Sequence, residues 1–308
     1  MTRRFLPFSF LLAGLLATGS CGPASDPQQT ESLTEALVRA EADGWEPGSW
    51  QLLEFSPEAD LRVFGLPLSA PERVTVRALY HAVLVDRVGD SRRFPVDGPV
   101  QDVRIHAGTR KIIAVLDAGG TLHLWDVQTA QTASLAEHVF PGFSFSPDGR
   151  FLAYTAGLVP EMNLYRIQVD TREVLQLTHE DGPVWGPAFS PDGKEIAFVS
   201  STGGYPSLAV IPAGGGATRR LTNVDLPEDG SPVHSSRLAP FPDGRRPPVW
   251  ASDGLFFENS TGIHQITANG AQAGHWPGDS FPVLLHDRVL CIRERRLTPL
   301  GASPEVGK

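Results

Sequence analysis

The chain has 308 residues, of which 41% are apolar and 8% aromatic; that is enough for one large domain or two ordinary ones, and too apolar for global disorder. Its formal net charge is −9, and an acidic surface repels phosphate backbones, which argues against nucleic acid as a partner. The 31 glycines and 27 prolines punctuate the sequence densely, so short elements joined by many turns, an all-β class, are expected.

Residues 1–20 read as an export signal. Arg3 and Arg4 precede an apolar run from Phe5 to Ala17, too short for an ordinary membrane span, and small residues Thr18-Gly19-Ser20 lead to Cys21. Small residues followed by cysteine resemble the lipobox of bacterial lipoproteins. The resemblance implies that the signal is removed and that Cys21 becomes the lipid-bearing first residue, anchored to a membrane of the cell envelope. The other reading of the same residues is an ordinary signal peptide cut nearby, leaving a free thiol. Residues 21–44 form a tether, polar at first and then able to make a short helix over Ser32 to Ala42, with Leu33, Leu37 and Ala40 on one face. The second cysteine, Cys291, sits in the apolar run Val289-Leu290-Cys291-Ile292 and reads as a buried, inert thiol.

The body, residues 45–300, is repetitive. Phe145-Ser146-Pro147-Asp148-Gly149-Arg150 returns 44 residues later as Phe189-Ser190-Pro191-Asp192-Gly193-Lys194, each followed by an apolar strand-like run. Proline at the second position presets φ and glycine at the fourth accepts the bulge after a type I turn, so the hexapeptide predicts a hairpin between two strands. Phe241-Pro242-Asp243-Gly244-Arg245 reads as a decayed third copy. Leu177-Thr178, Leu221-Thr222 and Ile266-Thr267 read as a second landmark that closes each unit, with Leu297-Thr298 as a fourth copy. Upstream, Asp97-Gly98-Pro99-Val100 matches Asp181-Gly182-Pro183-Val184, Ile105 takes the place of Phe189, and Phe55 and Phe281 open the first and last units. A period in the forties built from several short strands is the mark of a β-propeller, with room for about six four-stranded blades before a tail at 301–308. The last unit is short, which predicts closure by a strand borrowed from the N-terminal segment.

Pro187-Ala188-Phe189-Ser190-Pro191-Asp192-Gly193-Lys194-Glu195-Ile196-Ala197-Phe198-Val199-Ser200, then Gly203-Gly204-Tyr205-Pro206-Ser207-Leu208, then Arg219-Arg220-Leu221-Thr222, resembles the propeller repeat of the TolB family. The resemblance implies a TolB-like propeller in the bacterial cell envelope. TolB proteins carry an α/β domain ahead of the propeller; residues 22–44 leave no space for one after Cys21, so the expectation is the propeller alone.

No local motif carries chemistry. Gly-x-Ser-x-Gly, His-Glu-x-x-His and paired-cysteine metal signatures are absent from the sequence, and Gly214-Gly215-Gly216 reads as a hairpin turn, not a phosphate loop. Segments just before each first strand should cross one face near the channel mouth. They carry Asp97, Gln101, His138, His179, Asp181, Trp185, His275 and Trp276, of which Asp97, His179, Asp181, Trp185, His275 and Trp276 form the candidate binding surface. An aromatic beside a carboxylate gives apolar area with a polar anchor; the plainer reading is a turn at Asp-Gly-Pro with tryptophans packed between blades. The expectation is a monomeric, lipid-anchored envelope propeller that binds a protein, peptide or other ligand, without a cofactor and without catalysis. The alternative is a metal-dependent hydrolase or lactonase centred on the propeller channel, with ligands drawn from different blades.

Overall fold

The computed structural model describes residues 51–56, 61–67, 80–87, 90–93, 99–106, 112–158, 161–202, 206–222, 247–259, 262–277, 280–285, 288–293 and 296–300. The signal and tether, Asp97, the Phe241–Arg245 segment and the C-terminal tail lie outside them. Every regular element among the described residues is a strand. The chain divides into two compact units, Met1–Ser134 with Glu294–Leu297, and Leu135–Arg293 with Thr298–Lys308.

In the first unit, β1 (Gln51–Ser56), β2 (Leu61–Pro67), β3 (Tyr80–Arg87) and β4 (Asp90–Arg93) pair in order as an antiparallel meander. A second meander follows from β5 (Val100–Ile105), β6 (Ile112–Asp117), β7 (Leu122–Asp126) and β8 (Gln131–Ala136), joined to the first by the single pair Tyr80 and Val100. Leu61, Val63, Val103, Ile113, Val115 and Trp125 belong to one buried cluster in this unit.

In the second unit the pattern repeats: β9 (Val139–Phe145), β10 (Phe151–Ala156), β11 (Asn163–Gln168) and β12 (Val174–Gln176); then β13 (Val184–Phe189), β14 (Glu195–Ser200), β15 (Ser207–Pro212) and β16 (Arg219–Arg220); then β17 (Val249–Ala251), β18 (Gly254–Asn259), β19 (Gly262–Ile266) and β20 (Gln272–Pro277). A last sheet has three strands, β21 (Ser280–Leu285), β22 (Arg288–Arg293) and β23 (Arg296–Pro299). Within this unit β9 lies against β13, β13 against β17 and β17 against β21, so the first strands of successive sheets are neighbours. Repeated four-stranded meanders with adjoining first strands make this an all-β chain of β-propeller fold.

The wholly apolar run on β14 follows from burial on both faces. Ile196 and Phe198 face a cluster with Ala153, Leu164 and Ile211, shared with the sheet before. Ala197 and Val199 face a cluster with Leu255, Phe257 and Trp250, shared with the sheet after. Successive side chains on a strand point to opposite faces, so a blade between two others needs apolar residues at both parities.

The two Ser-Pro-Asp-Gly turns are built alike, as the sequence predicts. Gly149 and Gly193 donate their N–H to the carbonyls of Ser146 and Ser190, each at 2.8 Å. Ser146 and Ser190 donate their hydroxyls to Asp148 Oδ1 at 2.6 Å and Asp192 Oδ1 at 2.8 Å, and accept from the N–H of Phe151 and Glu195. Gly193 has φ +70°, the left-handed region reserved largely for glycine. The Ser190 hydroxyl, the Lys194 N–H and the Lys194 ammonium hold the Asp192 carboxyl down at about 2; the Ser146 hydroxyl likewise lowers Asp148. These aspartates belong to their turns, at the end of the sheet opposite the segments that enter β9 and β13.

The hairpin turn between β17 and β18 is Ser252-Asp253, with Ala251 opposite Gly254; the expected copy at Phe241–Arg245 lies outside the described residues. One sequence expectation is corrected. Ile266-Thr267 does not close its sheet: Thr267 opens the hairpin between β19 and β20, accepting from Gly270 on its carbonyl and from Ala271 on its hydroxyl. A fixed offset from Leu221-Thr222 therefore lands one strand early. The expected closure by a strand of the N-terminal segment is not seen among the described residues, where β1 pairs with β2 and the last sheet is β21, β22 and β23.

Candidate functional site

Residues 177–183 connect the outermost strand of one sheet to the first strand of the next, and the segment is fixed from both. Leu177 and Thr178 are buried. The Thr178 hydroxyl accepts from the Leu164 N–H at 2.9 Å and donates to Asn163 Oδ1 at 2.9 Å. The same Asn163 oxygen accepts from the Glu180 N–H at 3.0 Å, while Asn163 Nδ2 donates to the Glu161 carbonyl. From the following sheet, the Thr202 hydroxyl donates to Glu180 Oε2, and Arg220 Nη2 donates to the Thr202 carbonyl at 2.6 Å. The Val184 N–H, at the start of β13, donates to the Met162 carbonyl at 3.1 Å.

The Thr178 arrangement recurs. The Thr222 hydroxyl accepts from the Leu208 N–H at 2.9 Å, and Leu221 donates to the Leu208 carbonyl as Leu177 does to that of Leu164. The Leu-Thr pair is thus a clasp that holds the exit of the fourth strand on the start of the third. The hydroxyl takes the strand N–H that would otherwise be buried without an acceptor.

Two side chains of the braced segment face solvent. His179 is exposed, with Nδ1 3.1 Å from Gln176 Nε2, whose amide also donates to the Thr178 carbonyl. Asp181 is exposed and, among the described residues, has no hydrogen-bond or ion-pair partner. The other candidates are not beside them. Trp185 is 6% exposed, in a cluster with Met162, Val199, Leu208 and Trp250. Its placement depends on a bulge: the β13 register shifts between Trp185 and Ala188, and Gly186 sits at φ +63°. Val184 and Phe189, five residues apart, consequently face the same cluster, and Trp185 turns to the other.

Trp276 is 5% exposed and packs on Phe256 at 6.0 Å. It lies with His275 on β20, the outermost strand of its sheet, rather than in an entry segment. His275 stacks on the buried His264 at 4.2 Å, and His264 on Phe257 at 5.4 Å, one ring from each of three adjacent strands. The tryptophans therefore take the packing role. Gln101 donates to the Asp117 carbonyl at 2.8 Å within the first unit, and His138 is exposed at φ 55° just before β9. Among the described residues no three His, Cys, Asp or Glu side chains converge on one point.

Asn163, Glu180 and Thr202, which brace the segment, were not singled out in the sequence. The bonds through which they brace it span 15 to 22 residues and draw on two different sheets, and nothing local marks them. The recurrent threonine 14 residues after Leu164 and again after Leu208 was the available signal.

The class defined by this fold is the β-propeller, and its repeats are TolB-like. No family model matches the chain. The Tol-Pal system protein TolB of Francisella tularensis subsp. holarctica (strain OSU18) is 40% identical over 83 residues, 27% of this chain and 19% of that protein. The TolB of Francisella tularensis subsp. mediasiatica (strain FSC147) is 40% identical over 60 residues, 20% of this chain and 14% of that protein. The matches thus span a fifth or less of the curated relatives. Among solved structures, TolB from Acinetobacter baumannii aligns with a TM-score of 0.44 at 16% identity, covering 92% of this chain and 72% of that one. A nidogen/laminin complex aligns at 0.48 and 9% identity, covering 70% and 74%.

Proposed function

We propose that this chain is a protein-binding propeller of the bacterial cell envelope, anchored through lipid on Cys21, whose working surface includes the segment bearing His179 and Asp181. The observation that carries the reading is the braced segment itself: a solvated imidazole and an unpaired carboxylate on a loop immobilised from two sheets. A surface held in one geometry before contact loses little conformational freedom on binding, as recognition sites require. The TolB-like repeats support an envelope protein partner, since the relative named above is a component of a Tol-Pal system. Binding is favoured over catalysis, because the segment offers contact groups without a nucleophile and base in mutual reach.

Two measurements test the reading. The His179→Ala, Asp181→Ala double variant of the full chain should lose capture of the envelope protein that the unaltered chain captures from solubilised membranes, with its melting temperature unchanged. Capture that survives the double change would remove this surface from the function. Cys21→Ala should move the protein from the membrane fraction to the soluble one; a mature chain of unmodified mass that begins elsewhere would refute the anchor.

A further inference from the structure

The outermost strand of a propeller sheet has one open side, and the described outer strands differ in how they protect it. β16 consists of Arg219 and Arg220, both exposed, and charge on an edge discourages further pairing. β12 carries no charge: it is Val174-Leu175-Gln176, with Val174 52% and Leu175 37% exposed. Apart from Leu158 these are the exposed large apolar side chains among the described residues.

The register shows which backbone groups have no partner among the described residues. Gln168 donates its N–H to the Glu173 carbonyl and Leu177 donates to the Leu164 carbonyl, so residues 173, 175 and 177 face β11. By alternation, the N–H and C=O of Val174 and Gln176 point away from β11, to the side on which no described strand pairs. Next to this edge, Arg172 stands at φ 65° with an exposed guanidinium that has no ion-pair partner among the described residues. The neighbouring carboxylate of Glu173 instead accepts from the Thr171 hydroxyl at 3.3 Å.

We propose that β12 is a docking edge for an extended segment of a partner protein. The segment adds as a further strand, takes the outward N–H and C=O groups of Val174 and Gln176, lays apolar side chains over Val174 and Leu175, and places a carboxylate on Arg172. Main-chain bonds supply affinity in this mode and side-chain contacts supply selectivity. The Arg172 charge sets the partner's chemistry: an acidic residue flanking alternating β-branched ones.

The probe is a blocked, fluorescein-labelled peptide of alternating valine and threonine ending in glutamate, with a lysine-ended twin. Anisotropy with the full chain should show saturable binding of the glutamate peptide. Hydrogen exchange should slow at the Val174 and Gln176 amides and not at Arg219 and Arg220. Val174→Lys, which puts a charge on the edge, should weaken binding about tenfold. Arg172→Glu should exchange the preference of the two peptides; both variants alter exposed side chains, so melting should not move. The proposal falls if neither peptide binds, if protection appears elsewhere, or if the preference ignores Arg172. It falls also if sedimentation shows a dimer of this chain that Val174→Lys disperses, which would put a second copy on the edge.

Discussion

Replacing Thr178 by valine keeps the shape of the side chain and removes its hydroxyl, so the loss can be computed from the contacts described. The Leu164 N–H would lose its acceptor inside a buried strand, and Asn163 Oδ1 would lose one of its two donors, keeping the Glu180 N–H. A buried donor left unmade costs about 1–3 kcal/mol and a lost side-chain bond about 1 kcal/mol, giving about 2–4 kcal/mol for Thr178→Val. Thr222→Val is the internal comparison. There, among the described residues, the hydroxyl bonds only with the Leu208 N–H, so the expected loss is smaller, about 1–3 kcal/mol. Thr178→Ser keeps the oxygen and gives up one methyl, about 0.8 kcal/mol. Urea unfolding followed by circular dichroism, with unchanged m-values, reads these differences directly. A Thr178→Val midpoint indistinguishable from the unaltered chain, or a serine variant as damaged as the valine one, would refute the clasp.

Gly193→Val should lower stability by about 1–3 kcal/mol through backbone strain alone, because an added Cβ would meet only Pro147 Cδ at 3.6 Å; an unchanged melting temperature would contradict it. Trp185→Ala should cost about 3–5 kcal/mol, as a buried aromatic does; a stable variant that only loses partner capture would return Trp185 to the binding surface. The folded carboxyl of Asp192, at about 2, lies below the ordinary value of 3.8, so its contribution is present above pH 4 and is lost as pH falls through 2. Asp192→Asn should flatten stability against pH between 4 and 2, and an acid limb equal to that of the unaltered chain would show that the carboxylate is not engaged.

What could be read from the sequence was what closes locally. Each Ser-Pro-Asp-Gly turn finishes its hydrogen bonds within six residues, so its geometry is written in one hexapeptide. The Leu-Thr pair was visible as a recurrence, but its purpose was not, because its partner is a strand N–H 14 residues back. Spacing failed where loop lengths change: Ile266-Thr267 matched by offset and lies one strand early. Trp185 and Trp276 look alike in the sequence, each within four residues of an aspartate or a histidine, yet their burial is decided by packing that spacing does not show: Trp185 by the bulge at Gly186 in its own strand and by Trp250 of the following sheet, Trp276 by Phe256 of its own sheet and Val289 of the following one. His179 and Asp181 stayed at the surface because the backbone between them is occupied by Asn163 and their neighbour Glu180 by Thr202.

The bracing of residues 177–183 has a kinetic consequence. Because Glu180 is tied to its own sheet through Asn163 and to the following one through Thr202, the segment shifts only if two sheets shift with it. On the proposed function, a partner arriving there meets one braced conformer, so no fraction of encounters is wasted on unreceptive loop states. Association is then limited by orientation and diffusion, and changes at His179 or Asp181 should show mainly in how long the complex lasts. Loosening the loop at Asn163, whose side chain is buried beneath it, should instead slow the approach to equilibrium.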